Sequence, residues 1–198
     1  MLTLRRFPVV ATLTISALFS LDVHAEEEKH SLLVEATAPK QVFSEQRPEY
    51  LHMKNVLVTR EGTQRLEFEV TLLGKMPINP KESVSIYFGF DIDKDSSTGS
   101  VTAQSSNFGQ DVGFFIYQNQ GDSKFRVTNN SVDFKGRQRD INVSKFKVDG
   151  DKISVSVRSE LFSMFDSFKF FVSVSQRVFE KGKMVNETQI STTPVTVF

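Results

Sequence analysis

Side-chain alternation with a period of two is the feature that most constrains this chain. In residues 64–73, Leu66, Phe68, Val70 and Leu72 fall on one side while Arg65, Glu67, Glu69 and Thr71 fall on the other. Residues 84–92 set Val84, Ile86, Phe88, Phe90 and Ile92 against Ser85, Tyr87, Gly89 and Asp91. Ile153, Val155 and Val157 alternate with Ser154, Ser156 and Arg158, and Phe168, Phe170, Val172 and Val174 with Lys169, Phe171, Ser173 and Ser175. An extended chain sends successive side chains to opposite faces, so these runs describe strands with one buried face. A helical period would scatter the same apolar set around an axis.

Residues 55–60, 112–118, 124–128, 132–134 and 146–148 are weaker strand candidates. Between them stand turn formers such as Glu61-Gly62, Asn129-Asn130, Asp149-Gly150-Asp151 and Lys181-Gly182-Lys183. Only residues 160–166 read as helical, for one or two turns. Short strands at this spacing, with no repeat and no linker, predict an all-β fold: an antiparallel β-sandwich of two sheets, immunoglobulin- or jelly-roll-like. Phe68, Phe88, Phe90, Phe168 and Phe170 lie on the apolar sides of the strands, which assigns them to the core between the sheets.

The N-terminus reads as an export signal. Arg5 and Arg6 precede an apolar stretch from Val9 to Leu21, and Val23-His24-Ala25 gives the small-x-Ala ending that a signal peptidase accepts. A membrane span needs about 20 apolar residues, and this stretch is shorter and broken by Thr12, Thr14 and Ser16. The organisation expected is therefore a signal over residues 1–25, a polar leader over 26–48 whose Leu32-Leu33-Val34 patch suits an edge strand, and one domain over 49–198. Location outside the cytoplasm follows, periplasmic or secreted, with no membrane span once the signal is cleaved.

Charge and composition narrow the function. Lys+Arg 24 balances Asp+Glu 24, which excludes a protein that works by wrapping nucleic-acid phosphates. The chain has no Cys, so disulfides, thiolate metal sites and Cys nucleophiles are excluded, and stability must come from packing or from an ion.

Acidic charge is concentrated where strand 84–92 ends. Asp91, Asp93 and Asp95 fall within five residues, Thr98-Gly99 follow, and Asp111 opens the next apolar run. If the strands on either side are hairpin neighbours, these carboxylates converge at one rim. Carboxylates about 5 Å apart repel by roughly 3 kcal/mol per pair at an effective dielectric near 20. A hard cation held by oxygen relieves that repulsion, and Ca2+ accepts six to eight oxygens in flexible geometry. The expected ligands are Asp91, Asp93, Asp95, Thr98 and Asp111, with backbone carbonyls completing the shell. The loop is not an EF-hand, since the Gly and Glu that such a loop requires are Ser96 and Thr102 here.

Tyr87-Phe88-Gly89-Phe90-Asp91-Ile92-Asp93 with Thr98-Gly99, then Gly109-Gln110-Asp111 before residues 112–117, resembles the pattern of DOMON-like domains and family 9 carbohydrate-binding modules. The likeness covers about residues 66–174. It implies an exported β-sandwich binding module, often calcium-stabilised, whose ligand is a sugar or, in some DOMON domains, haem. The chain departs from both ligand types. It has no Trp and only Tyr50, Tyr87 and Tyr117 to stack on a sugar ring, and His52-Met53, adjacent in an extended chain, point to opposite faces and cannot serve together as axial ligands.

Catalysis has little support, for no Gly-x-Ser-x-Gly elbow or phosphate-cradling loop appears. Asp91 with Asp111 would suit acid–base work only if one carboxyl sat in an apolar pocket, and the surrounding sequence is rich in hydroxyls. The reading is a non-enzymatic exported module for a glycan or protein ligand. The alternative is a carbohydrate-binding module using the rim of loop 96–110, and a small outer-membrane β-barrel ranks below both.

Overall fold

A computed structural model describes residues 29–35, 47–102, 105–131, 141–192 and 194–197. The export signal and the candidate strand at 132–134 lie outside them. The strands are β1 (Lys29–Glu35), β2 (Met53–Glu61), β3 (Arg65–Leu72), β4 (Ser83–Asp91), β5 (Ser100–Thr102), β6 (Ser105–Gln110), β7 (Val112–Gln118), β8 (Arg126–Ser131), β9 (Asn142–Asp149), β10 (Lys152–Arg158), β11 (Phe168–Glu180), β12 (Lys183–Ser191) and β13 (Val195–Val197). Helix among the described residues is confined to two short 3-10 turns, Glu49–Leu51 and Glu160–Ser163.

The strands form two open antiparallel sheets, in the orders β1-β2-β3-β10-β9 and β12-β11-β4-β7-β8, and β13 pairs with the start of β11. Neither sheet closes on itself, so the fold is a sandwich and not a barrel. The apolar patch Leu32-Leu33-Val34 lies in β1, which takes the edge beside β2 from Lys29↔Glu61 to Glu35↔Asn55. The leader thus contributes a strand to the first sheet.

The alternating positions become the core. Phe68 of the first sheet meets Phe88, Phe90 and Phe170 of the second edge-on, with centroids 5.1, 6.0 and 5.5 Å apart. This geometry sets the positive ring edge against a negative ring face. All five predicted core phenylalanines are buried, and burying each contributes on the order of 2–3 kcal/mol. Arg60 is buried as well. Its guanidinium donates to the carbonyls of Phe162 (2.7 Å) and Asp166 (3.0 Å) and lies over the Phe168 ring, tying the second 3-10 turn to β2.

Among the strands that escape a period-two reading are β12, β5 and β6. β12 is exposed along nearly its whole length, with Ile190 its one buried residue, so it shows no apolar alternation. The stretch 96–110 reads as a long polar loop, yet β5 and β6 pair within it as a separate hairpin. That hairpin lies against the outer face of the second sheet, where Phe108 packs edge-on against Phe171 at 5.1 Å. With Tyr87 and Phe115 they make a small second apolar cluster outside the sandwich.

Candidate metal centre

β4 and β7 are adjacent, from Val84↔Gln118 to Phe90↔Val112, so the end of one strand lies beside the start of the other. Asp91 continues the outward phase of β4, after Tyr87 and Gly89. Past it the chain turns at Lys94, whose φ is 58°, and Lys94 Nζ donates to Ser167 Oγ at 2.6 Å, fastening the loop to the segment before β11. Asp111 is fixed twice, its N–H donating to the Phe90 carbonyl (2.9 Å) and its Oδ2 accepting from the Ile92 N–H (2.8 Å). As a result Asp91, Asp93 and Asp111 each bring a carboxylate oxygen within 4.8 Å of the others.

The β5–β6 hairpin packs against the loop that carries this group. A Cβ on Gly109 would stand 2.3 Å from the Thr98 carbonyl oxygen and 2.5 Å from that of Asp95, so only glycine lets β6 approach the acidic loop this closely. Asp91 and Asp111 are both 0% exposed. Neither oxygen of Asp91, nor Oδ1 of Asp111, has a hydrogen-bond donor. The N–H groups of Gly109 and Lys94 lie near enough to favour the charge on Asp91 without closing a hydrogen bond to it. Burial is the main reason that the Asp91 carboxyl titrates above the ordinary range, opposed first by Lys169, whose Nζ stands 3.9 Å from Oδ2. Burial likewise pushes Asp111 up from 3.8 to about 6, with the charges of Asp93 and Asp91 adding to the rise.

The carboxylate group takes in three of the five predicted ligands, and the other two make hydrogen bonds within the loop. Asp95 is exposed, and its Oδ1 accepts from the N–H (2.9 Å) and hydroxyl (2.6 Å) of Ser97, so it shapes the turn and stands apart from the carboxylate group. Thr98 sits one step back, where its hydroxyl donates to Asp93 Oδ1 (3.0 Å) and to the Asp95 carbonyl (2.9 Å). The hydrated surroundings expected for Asp91 and Asp111 are also corrected. Both carboxyls are buried, and β6 approaches the acidic loop closely at Gly109.

The donor set is all carboxylate, with no His and no sulfur, which suits hard cations and disfavours zinc or copper. A divalent cation here would neutralise mutual repulsion and satisfy oxygens that no protein donor hydrogen-bonds.

The outer face of the second sheet holds a groove of about 290 Å3 between Phe115 and Tyr117 on one side and Arg177 and Phe179 on the other. Small residues form its floor, where the hydroxyls of Ser85 and Ser175 bond each other at 2.8 Å. Of the three tyrosines, Tyr117 lines this groove while Tyr87 is buried. The groove was not legible in the sequence, because it depends on β11 lying beside β4. Comparison with family models, with curated proteins and with solved structures finds no match, so the likeness to DOMON-like domains and family 9 carbohydrate-binding modules stands on the residues that carry it.

Proposed function

We propose that this chain is an exported, non-catalytic β-sandwich that binds a ligand on its second sheet and braces that sheet with calcium at Asp91, Asp93 and Asp111. One observation carries the cation: both oxygens of Asp91 and one of Asp111 are buried without a donor. An unpaired buried carboxylate is costly, and native proteins resolve that cost with a partner or a metal. Calcium is the preferred ion because its shell is irregular and takes carbonyls and hydroxyls beside carboxylates, both of which the loop offers. The non-catalytic reading rests on access, since Asp91 and Asp111 are buried from solvent and only Asp93 of the group is partly exposed. The test is thermal unfolding with and without calcium. Calcium should raise the melting temperature, and Asp93→Ala with Asp111→Ala should abolish the rise. No shift, together with no calcium retained in a native mass spectrum, removes the reading.

A second reading is favoured by the groove, whose lining sets Tyr117 beside Asn119 and Thr128. It makes the module a carbohydrate binder and moves the sugar contact from the rim of loop 96–110 to the outer face of the second sheet. A glycan array with wild type and Tyr117→Ala decides it. Loss of a specific signal in the variant supports a sugar ligand, and a blank array directs the search to proteins.

A further inference from the structure

The exposed large apolar side chains are unevenly distributed. Among the described residues, Leu73, Ile78, Phe179, Met184 and Val185 lie at the end of the sandwich where β3 and β11 finish and β4 begins. Only Phe146 and Met164 lie elsewhere. This end is opposite the carboxylate group, which sits where β4 finishes.

Two rigid devices present these side chains. The first is the Pro77-Ile78-Asn79-Pro80 loop. Buried Gln118 donates from Nε2 to the Ile78 carbonyl (2.7 Å), and the Gly121 N–H donates to the Pro80 carbonyl (3.1 Å). The backbone is clamped from beneath, yet the Ile78 side chain is 78% exposed. The second is the β11–β12 hairpin. β4 begins at Ser83, opposite Arg177, so β11 runs three residues past it, about 10 Å at the rise of a strand. Phe179 and Met184 pair across this projection just past a register shift at Val178, and Lys181-Gly182 close it with both φ angles positive, the tight two-residue turn whose twist matches that of the strands.

Charge follows the same distribution. Lys75, Lys81, Lys124, Lys181 and Lys183 make no ion pair among the described residues. At this end Asp122 is engaged by Arg126 and Asp149 by Lys147, while Glu82 accepts from Gln176. The carboxylates of this end without an ion pair among the described residues are Glu49, Glu82, Asp151 and Glu180, one fewer than these lysines.

We propose that this end of the sandwich docks on an anionic lipid surface, with Ile78, Phe179 and Met184 entering the headgroup boundary while the lysines meet the phosphates. The form of the surface favours lipid over protein. A stable protein interface needs about 800 Å2 per partner of continuous, complementary area. Here the apolar residues are separate projections with cations between them, and a fluid bilayer accommodates such projections one by one. Each lysine near an anionic leaflet contributes about fivefold in affinity, from roughly 1 kcal/mol.

The test uses the chain recovered from an exporting host and vesicles of phosphatidylglycerol with phosphatidylethanolamine, against vesicles of phosphatidylcholine alone. The chain has no Trp, so Ile78→Trp and Phe179→Trp each provide a single reporter at the proposed contact. On anionic vesicles both should shift to shorter wavelength and be quenched by brominated lipid, with or without a calcium chelator. Lys181→Gln with Lys183→Gln should weaken binding about thirtyfold, two lysines at about fivefold each. Ile78→Ser with Phe179→Ser should weaken it further, and as both sites are exposed these variants keep the fold. Three results would overturn the proposal: reporters that stay solvent-exposed on anionic vesicles, binding that vanishes with the chelator, or self-association that the serine changes abolish. The last assigns this end to a second copy of the chain. A calcium-free protein that still docks separates this proposal from the cation reading.

Discussion

Lys169 of β11 lies directly opposite Asp91 of β4, and its ammonium stands 3.9 Å from an Asp91 oxygen that no hydrogen bond reaches. Lys169 offsets part of the charge at the sealed end of β4, yet Asp91 still titrates high. One cation at that distance does not compensate three carboxylates within 4.8 Å of one another.

The imbalance makes Asp91→Asn a variant with two opposite effects. Without calcium it removes a buried charge and should stabilise the fold by about 1–3 kcal/mol. With calcium it removes a ligand and should lose most of the calcium-dependent rise in melting temperature. Paired melts with and without chelator check both signs.

The metal-free protein should lose stability as pH rises through the Asp111 transition. Its folded pKa of about 6 exceeds the ordinary 3.8, so between those values the folded state holds more protons than the unfolded state. That contribution is complete below pH 3.8 and gone above about 6, and a rise of that size corresponds to about 3 kcal/mol. Asp91 acts with the same sign. Urea unfolding in chelator, wild type against Asp111→Asn, isolates the effect from other carboxylates. A wild-type advantage that grows with pH over this window would contradict it. Calcium affinity should rise over the same window, as protons cease to compete.

Asp93→Ala and Asp95→Ala separate the ligand group from its scaffold. Asp93 belongs to the carboxylate group, whereas Asp95 Oδ1 is occupied by Ser97. Calcium titration should show a loss of at least about tenfold for Asp93→Ala, the size of one charge-assisted contact. The change for Asp95→Ala should be several times smaller.

Gly109→Ala should disturb the centre without touching a carboxylate. The added methyl has no space against the Thr98 and Asp95 carbonyls, so β6 must lift from the loop. A stability loss of about 1–3 kcal/mol is expected, together with weaker calcium binding.

Arg60→Met tests the tie between β2 and the second 3-10 turn. It leaves the Phe162 and Asp166 carbonyls without their guanidinium donors, and should destabilise by about 2–3 kcal/mol. Calcium affinity should change little, since Arg60 is not among the carboxylate neighbours.

The sandwich and its aromatic core are legible in the sequence because the inward face of each core strand is written in apolar residues, even in β4, whose other face is buried as well. The meeting of Asp91, Asp93 and Asp111 is legible too, since a hairpin of β4 and β7 makes them neighbours. Their burial is not. It depends on a hairpin of Ser, Asn and Gln whose one strong apolar signal is Phe108, and which packs through the fit of Gly109 against carbonyl oxygens. The role of Asp95 is hidden for a related reason, because short acidic side chains serve turns and cations equally well and spacing alone does not separate the two. The approach of Lys169 depends on the register between strands far apart in the chain, which local patterns do not encode.

β11 pairs with β4, β12 and β13, and Phe90 faces Phe170 across a gap of 80 residues. A chain that emerges from its N-terminal side therefore holds β4 with an open edge until β11 arrives. The backbone edge of β4 that β11 takes stays unpaired through that interval, and an open strand edge invites pairing with another chain. The second sheet cannot be completed before Phe168 and the rest of β11 have emerged. That delay sets a vulnerability, because a nascent chain stalled before Phe168 would present an adhesive half-sandwich and would depend on a chaperone to stay soluble.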